Sequence, residues 1–163
     1  MARKTFFSFH YKPDNWRASQ VRNMGALEGN PPVSDNDWEK VEAGGDATIK
    51  AWILAQMNGR SCAVVIIGES TAGRKWINYE IVEAWQKGMG VFGIYIHGLQ
   101  NISGEQCQKG GNPFDSISYG DKKLSAIVKA YNPPYSSSTD VYNYIKQNIA
   151  SWADEAVEIR KKH

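Results

Sequence analysis

Runs of apolar residues alternate along the chain with stretches of helical periodicity. The first run, Thr5 to His10, is rich in aromatic residues, and two further runs cover Ala63 to Ile67 and Val91 to Ile96. Short, continuous apolar runs are typical of strands that are buried on both faces of a parallel sheet. The three runs therefore predict the central strands of such a sheet.

Helices are predicted between these strands. Asp14 is a candidate N-cap for a helix over Trp16 to Leu27, and Asp46 is a candidate N-cap for a helix over Ala47 to Met57. A third helix is predicted over Lys75 to Lys87, because the glycine that follows is a common helix terminator.

The last third of the chain contains a long polar stretch and a long periodic one. Residues 99–120 are polar and contain several glycines, which predicts a long loop, and loops of this length are often functional or mobile. From 140 to 161, apolar residues recur at three- and four-residue steps, which predicts an amphipathic C-terminal helix that packs on its own domain. The apolar positions of this helix are Tyr142, Ile145, Ile149, Trp152, Ala156 and Ile159.

Alternating strands and helices predict an α/β fold of three layers, flavodoxin-like, with a central parallel sheet. A chain of 163 residues is long enough to bury one core, and the pattern shows no repeat and no linker. We therefore expect residues 1–163 to form a single domain.

Composition and charge exclude several classes of protein. The net charge of +2 comes from interspersed basic and acidic residues, so no nucleic-acid partner is expected. No apolar run approaches the length of a membrane span, and the first residues lack the apolar stretch of a secretory signal. The two cysteines, Cys62 and Cys107, lie in unrelated surroundings and predict no disulfide. The chain is expected to be cytoplasmic, with no membrane partner.

The sequence contains no convincing motif for a metal site or for a bound cofactor. His10, His97 and His163 lack the spacing of a zinc site, so no metal is predicted. The glycines of segment 88–93 match a dinucleotide-binding fingerprint, but they follow a predicted helix and precede a predicted strand. This order is the reverse of the one that directs a helix N-terminus at a diphosphate. No bound cofactor is expected.

Two segments carry the candidate chemistry. Side chains at the C-terminal ends of neighbouring parallel strands meet in one crevice, so the end of the first strand and the segment 70–80 are expected to form one site. Within that segment, Trp76 and Glu80 lie one helical turn apart. Spacing alone favours a solvated Glu80 or one paired with Lys87, and Phe9 is as well explained as a core residue.

Five sequence elements, in one order over residues 3 to about 120, resemble the TIR-like proteins of the bacterial Thoeris antiphage defence system. The stretch with Trp76 and Glu80 is the most specific, since it resembles the catalytic element of TIR domains generally. The elements are Phe6-Phe7-Ser8-Phe9-His10-Tyr11, Val21-Arg22-Asn23, Trp38-Glu39, Ile67-Gly68-Glu69-Ser70-Thr71 with Arg74-Lys75-Trp76-Ile77-Asn78-Tyr79-Glu80-Ile81, and Gly111-Asn112-Pro113-Phe114-Asp115.

This resemblance implies a TIR-like fold and an enzyme that cleaves the bond between nicotinamide and ribose in NAD+. It further implies a cyclic or conjugated ADP-ribose product that activates a separate effector protein, and enzymes of this kind are often homo-oligomers. Glu80 corresponds to the catalytic glutamate. Nicotinamide leaves as a neutral molecule, so one carboxylate is sufficient and NAD+ serves as substrate, not as cofactor.

Substrate-binding residues are expected around Glu80. Aromatic rings would stack on the bases of the nucleotide, and hydroxyl groups would bind ribose or phosphate, although Ser70 is equally well explained as a helix N-cap. The candidates are Ser8, Phe9, His10, Tyr11, Ser70 and Trp76.

The chain also departs from the family pattern. Ile77 occupies a position where many TIR domains have cysteine, and the long loop signature of animal TIR adaptors is not recognisable between Arg22 and Val41. Two alternatives stay open: a TIR-like nucleotide-sensing or protein-interaction module without catalysis, and a flavodoxin-like or receiver-like domain, for which the first strand lacks clustered acids.

Overall fold

The middle layer of the protein is a sheet of five parallel strands in the order β2-β1-β3-β4-β7, and a two-stranded antiparallel ribbon, β5-β6, lies apart from it. The computed structural model describes residues 2–32 and 35–163. The strands are β1 (Arg3–Phe9), β2 (Leu27–Gly29), β3 (Cys62–Ile67), β4 (Gly90–Tyr95), β5 (Ser118–Tyr119), β6 (Lys122–Lys123) and β7 (Ala130–Tyr131).

Helices cover both faces of this sheet. One face packs against α1 and α5, and the other face packs against α3 and α4. The predicted three-layer α/β fold with a central parallel sheet is therefore confirmed, and the strand order is that of flavodoxin-like folds. The helices are α1 (Tyr11–Arg22), α2 (Asp35–Ala43), α3 (Asp46–Met57), α4 (Lys75–Gln86) and α5 (Ser138–Lys161).

The predicted central strands are confirmed with small shifts at their ends. Every residue of β3 and β4 is buried, because helices cover both sides of these strands. Burial of such aliphatic side chains contributes about 1.5–3 kcal/mol each, which makes this pair of strands the main source of hydrophobic stabilisation.

Strand β2 is short and ends the sheet early on one side. It pairs with β1 only over Arg3, Lys4 and Thr5. Beyond this point the amide of Phe7 donates to the side-chain carbonyl of Asn30 at 2.9 Å, so a side chain replaces the missing strand. The C-terminal half of β1 consequently has no neighbouring strand at this edge of the sheet.

The prediction for the first helix was wrong at both ends. The helix α1 begins at Tyr11, because Pro13 fits the first turn, where its missing amide hydrogen is not needed. Asp14 is therefore not an N-cap but a buried side chain within the helix. The helix ends at Arg22, and Gly25, with φ at 75°, turns the chain into β2.

The other helices agree better with the sequence. Helix α3 begins one residue earlier than predicted, with Gly45 as N-cap, and Asp46 pairs with Lys75 at 2.6 Å. The C-terminal helix α5 packs on its own domain, as predicted, and Ser137 caps it by accepting a hydrogen bond from the amide of Asp140. No helix in the described residues is long and apolar enough to cross a membrane.

The sequence did not predict several of the shorter strands and helices. Strands β2 and β7 and helix α2 have no counterpart in the predicted pattern. The predicted loop 99–120 contains a 3-10 turn at Pro113–Ser116 and the strand β5, and Phe114 anchors it in the core.

Candidate active site

A cavity of about 290 Å³ opens where β1 ends. Helices α1, α2, α3 and α4 all contribute to its walls, and the segment Asn30–Pro32 lies at the edge that β2 leaves uncovered. The site is therefore built at the C-terminal end of a central strand, where open parallel sheets commonly bind ligands.

A buried hydroxyl and a buried carboxyl meet at this cavity. Ser8, in β1, donates a hydrogen bond of 2.7 Å to Oε1 of Glu80, in α4. Glu80 lines the cavity and is 8% exposed, so its interpretation as a solvated surface residue was wrong. Burial raises the pKa of Glu80 to about 8, although the bond from Ser8 acts in the opposite direction.

The position of Glu80 is set by the packing of its helix. Ile77 and Ile81, on the same side of α4, are buried in the core beside the sheet. Gly73, with φ at 82°, turns the chain just before the helix, and Arg74 is the N-cap residue. Because residues three or four apart in a helix lie on one side, anchoring these isoleucines directs Glu80 toward β1.

Trp76 lies one helical turn before Glu80 and lines the same cavity. Its indole is half-buried and contacts Tyr79 edge to face, with 5.6 Å between ring centroids. The ammonium group of Lys75 lies 4.8 Å from the indole centroid. These contacts hold a flat apolar ring beside the carboxyl group.

A row of four aromatic rings also lines the cavity. Phe9 stacks on Tyr11 at 6.0 Å, Tyr11 contacts Trp38 at 5.8 Å, and Trp38 contacts Trp52 edge to face at 5.7 Å. Aromatic rings in contact stabilise one another and present large rigid surfaces to a planar ligand. This row gives the cavity a stacking surface of a kind that nucleotide bases fit.

His10 also lines the cavity, and its Nδ1 atom is buried without a hydrogen-bond partner in the described part of the chain. Burial lowers the pKa of His10, and the positive charge of Arg74 lowers it further. The imidazole is therefore favoured in its neutral form at pH 7.

One side of α1 provides a polar wall. Lys12, Asn15, Ser19 and Arg22 follow one another at three- and four-residue steps, and all four line the cavity. Spacing of this kind places side chains in one row along a helix. The wall thus follows α1 from its first turn to its last residue.

Ser70 lies apart from this site. It is exposed, does not line the cavity and is not the N-cap of α4. The neighbouring Thr71 is buried instead, where its hydroxyl accepts from the amide of Gly68 at 2.8 Å and donates to Asp14 at 3.3 Å. These bonds join α1 to the connection between β3 and α4.

The structure therefore brings together most of the predicted site residues. Glu80, Phe9, His10, Tyr11 and Trp76 line one cavity, and Ser8 contacts Glu80. Their roles in binding and catalysis stay predictions.

Further cavity residues were not predicted. Arg22 and Trp38 fall within segments that carry the family resemblance, but no role was assigned to either residue. The polar row along α1 would have indicated Arg22, had the helix been predicted to begin at Tyr11. Arg74 also lies in such a segment without an assigned role, and Trp52 lies within the helix predicted over Ala47 to Met57.

The sheet order, the cavity at the end of β1 and the pair formed by Trp76 and Glu80 define a TIR-like domain. The family model of the Thoeris protein ThsB, TIR-like domain, matches residues 6–101, and the chain belongs to this family. The predicted resemblance to Thoeris TIR-like proteins is thereby confirmed.

A curated relative supports the assignment. The chain is 34% identical over 124 residues to "Putative cyclic ADP-D-ribose synthase ThsB1" of Bacillus cereus (strain MSX-D12). The matched stretch covers 73% of this chain and 65% of the relative, so the chain spans about two thirds of that protein's length.

Proposed function

We propose that the protein is a TIR-like enzyme that cleaves the nicotinamide-ribose bond of NAD+ and releases a cyclic or conjugated ADP-ribose second messenger. This messenger activates a separate effector protein in antiphage defence. Membership of the ThsB family and the printed name of the relative, a cyclic ADP-D-ribose synthase, support the proposal.

The observation that carries the proposal is the buried pair of Ser8 and Glu80 beside Trp76 in one cavity. A carboxyl group removed from water interacts strongly with positive charge, because the local dielectric constant is low. Glu80 is therefore suited to a substrate that carries a cationic ring and develops further positive charge at ribose as it reacts.

The chemistry requires one carboxylate. The bonding electrons between C1′ and the ring nitrogen leave with nicotinamide, which departs neutral and needs no proton from an acid. The ribosyl cation that develops at C1′ is stabilised by ionised Glu80. Burial keeps Glu80 protonated at neutral pH in the free protein, and the approach of the cationic ring, together with the bond from Ser8, favours the ionised form.

The aromatic row supports formation of a messenger in preference to simple hydrolysis. Stacking of adenine on Tyr11 or Trp38 would fold the nucleotide back toward Glu80. A hydroxyl group of the substrate itself can then form the new bond to C1′ as nicotinamide leaves, and its proton passes to the Glu80 carboxylate. Apolar rings also exclude water, which would otherwise compete for C1′.

Membership of the ThsB family also supports a proposal about where the enzyme acts and with which partners. We propose that the enzyme acts in the cytoplasm, that its effector is a separate chain and that the active form is a homo-oligomer. No further cofactor is required, since NAD+ is the substrate.

The proposal is tested by mass spectrometry of small molecules from cells that express wild-type protein or Glu80→Gln, with and without phage. We expect an ADP-ribose derivative that depends on wild-type Glu80. Purified protein with NAD+ should release nicotinamide with the same dependence. Protection of cells by wild type and variant alike, with no difference in nucleotides, would instead favour the non-catalytic TIR-like module.

A further inference from the structure

Arg22 occupies an unusual position for a charged side chain. It is half-buried at the end of α1 and lines the cavity. Its Nη2 group donates to the backbone carbonyl of Asn30, and its guanidinium lies 5.0 Å from the centroid of the Phe7 ring. These contacts fix the guanidinium in place while leaving it at the cavity surface.

No carboxylate neutralises this cation in the part of the chain that the structure describes. None of the ion pairs there includes Arg22. Burial lowers the pKa of Arg22, and the positive charge of Arg60, outside the cavity, lowers it further. An incompletely solvated cation without a counter-charge is favourable only if an anion binds to it.

Strand β1 relates Arg22 to the buried carboxyl group. The guanidinium of Arg22 lies beside the ring of Phe7, and the next residue, Ser8, donates to Glu80. Successive side chains of a strand point to opposite faces of the sheet, and α1 and α4 cover opposite faces. Arg22 and Glu80 therefore reach the same cavity from the two faces of the sheet.

We propose that Arg22 binds the diphosphate group of the nucleotide while Glu80 faces its cationic ring. The inference rests on the proposed function, because it assigns the anion to the same substrate. A guanidinium suits this role, since its planar fork of N–H groups matches two phosphate oxygens at once. The opposed charges would fix the direction in which the dinucleotide enters.

Arg60 provides a matched control. It also holds a carbonyl at the edge strand β2, through a bond of 3.2 Å from Nη1 to Glu28, but it does not line the cavity. Loss of either arginine removes one positive charge and its bonds to backbone carbonyls, which are one for Arg22 and two for Arg60, whose Nε also donates to Gln56 at 2.8 Å. Only the loss of Arg22 removes a donor that faces the ligand.

The test is calorimetric titration of the full chain with ADP-ribose, inorganic pyrophosphate and nicotinamide riboside, which lacks a diphosphate. We expect Arg22→Gln to weaken binding of ADP-ribose and pyrophosphate about tenfold or more, as the loss of one charge-assisted hydrogen bond implies. The affinity of Arg22→Gln for nicotinamide riboside should equal that of wild type. Arg60→Gln should leave all three affinities unchanged. The affinities of Arg22→Lys for ADP-ribose and pyrophosphate should lie between those of wild type and Arg22→Gln.

Equal losses in Arg22→Gln and Arg60→Gln, or no loss in Arg22→Gln, would overturn the inference. If Arg22→Gln does not fold, the side-chain NMR signal of Arg22 in wild-type protein decides instead: it must shift on addition of pyrophosphate. Glu80→Gln separates the two proposals, because it should still bind ADP-ribose through Arg22 while NAD+ cleavage is lost. Arg22-dependent binding without any cleavage by wild type would contradict the proposed function alone.

Discussion

Ser8 and Glu80, 72 positions apart in the chain, are joined by a hydrogen bond of 2.7 Å. Both side chains are buried, and Glu80 lines the cavity. The strand supplies the donor and the helix α4 supplies the acceptor. This bond connects the core of the fold to the proposed chemistry, and several predictions depend on it.

The pH dependence of activity should follow the ionisation of Glu80. The proposed reaction uses the carboxylate form of Glu80, and burial raises the pKa of this group to about 8 in the free protein. We therefore expect kcat/KM for NAD+ to increase with pH and to level off above about 8. Nicotinamide release between pH 5.5 and 9.5 measures this profile. A plateau that already begins near pH 5 would show that Glu80 titrates normally.

Removal of the Ser8 hydroxyl should move this profile. The bond from Ser8 lowers the pKa of Glu80, so Ser8→Ala should raise that pKa, shift the rise of kcat/KM to higher pH and reduce the rate at pH 7. Ser19→Ala is the matched control, since this hydroxyl also lines the cavity but donates to the carbonyl of Asn15. The prediction fails if both variants keep the wild-type profile.

Stability should also depend on Glu80. Its pKa is raised in the folded state, so the folded protein keeps a proton that the unfolded chain releases above about 4.5. The free energy of unfolding should therefore decrease as pH increases from about 4.5 to about 8, by up to about 1.4 kcal/mol for each pH unit. Glu80→Gln, which stays neutral, should remove this decrease.

Urea unfolding at pH 5 and pH 8 measures the effect. Asp14, whose pKa burial raises to about 6, adds a similar decrease at lower pH that Glu80→Gln should leave intact. Identical differences between the two pH values in wild type and variant would contradict burial of an ionisable Glu80.

Trp38 should act mainly in substrate binding. It contacts Tyr11 and Trp52 within the aromatic row, whereas the hydrogen bond that holds Glu80 comes from Ser8. Loss of one base-stacking ring costs about 1–3 kcal/mol, so Trp38→Ala should raise KM for NAD+ about fivefold or more with a smaller effect on kcat. Steady-state kinetics tests this. Tyr135 is an exposed ring that contacts Tyr144 edge to face outside the cavity, so Tyr135→Ala should behave as wild type.

Gly68 should not tolerate a side chain while Asp14 is present. A Cβ atom at position 68 would lie 2.1 Å from Oδ2 of Asp14, a distance that no packed structure sustains. We expect Gly68→Ala to be strongly destabilising and the double variant with Asp14→Ala to lose less stability than the sum of the single changes. Thermal unfolding of the four proteins gives the coupling, and additive losses would contradict the contact.

Much of this fold could be predicted because its long elements have clear periodicity. The apolar runs of β3 and β4 and the repeating pattern of α5 leave few alternatives. Strands β2 and β7, with three and two residues, are too short to show any period and depend on neighbouring strands for their pairing. The start of α1 was missed because His10 and Tyr11 resemble the end of a strand as much as the start of a helix.

The candidate site was less predictable than the fold. Spacing placed Glu80 near Trp76, but it could not show that the helix would turn the carboxyl group toward Ser8 and away from water. Burial of Glu80 results from tertiary packing of Ile77 and Ile81, which no local pattern contains. Arg22 was missed for a related reason, since only the three-dimensional structure shows that no described residue forms an ion pair with it.

The early end of β2 has an evolutionary consequence. Because the sheet stops at Gly29 and Asn30 satisfies the next amide of β1, the wall formed by α2 is attached to the domain without contributing a strand. Residues of this wall, such as Trp38, can therefore be exchanged without altering the central core. Related chains could diversify the molecules that they make by varying this region while inheriting an unchanged reaction centre.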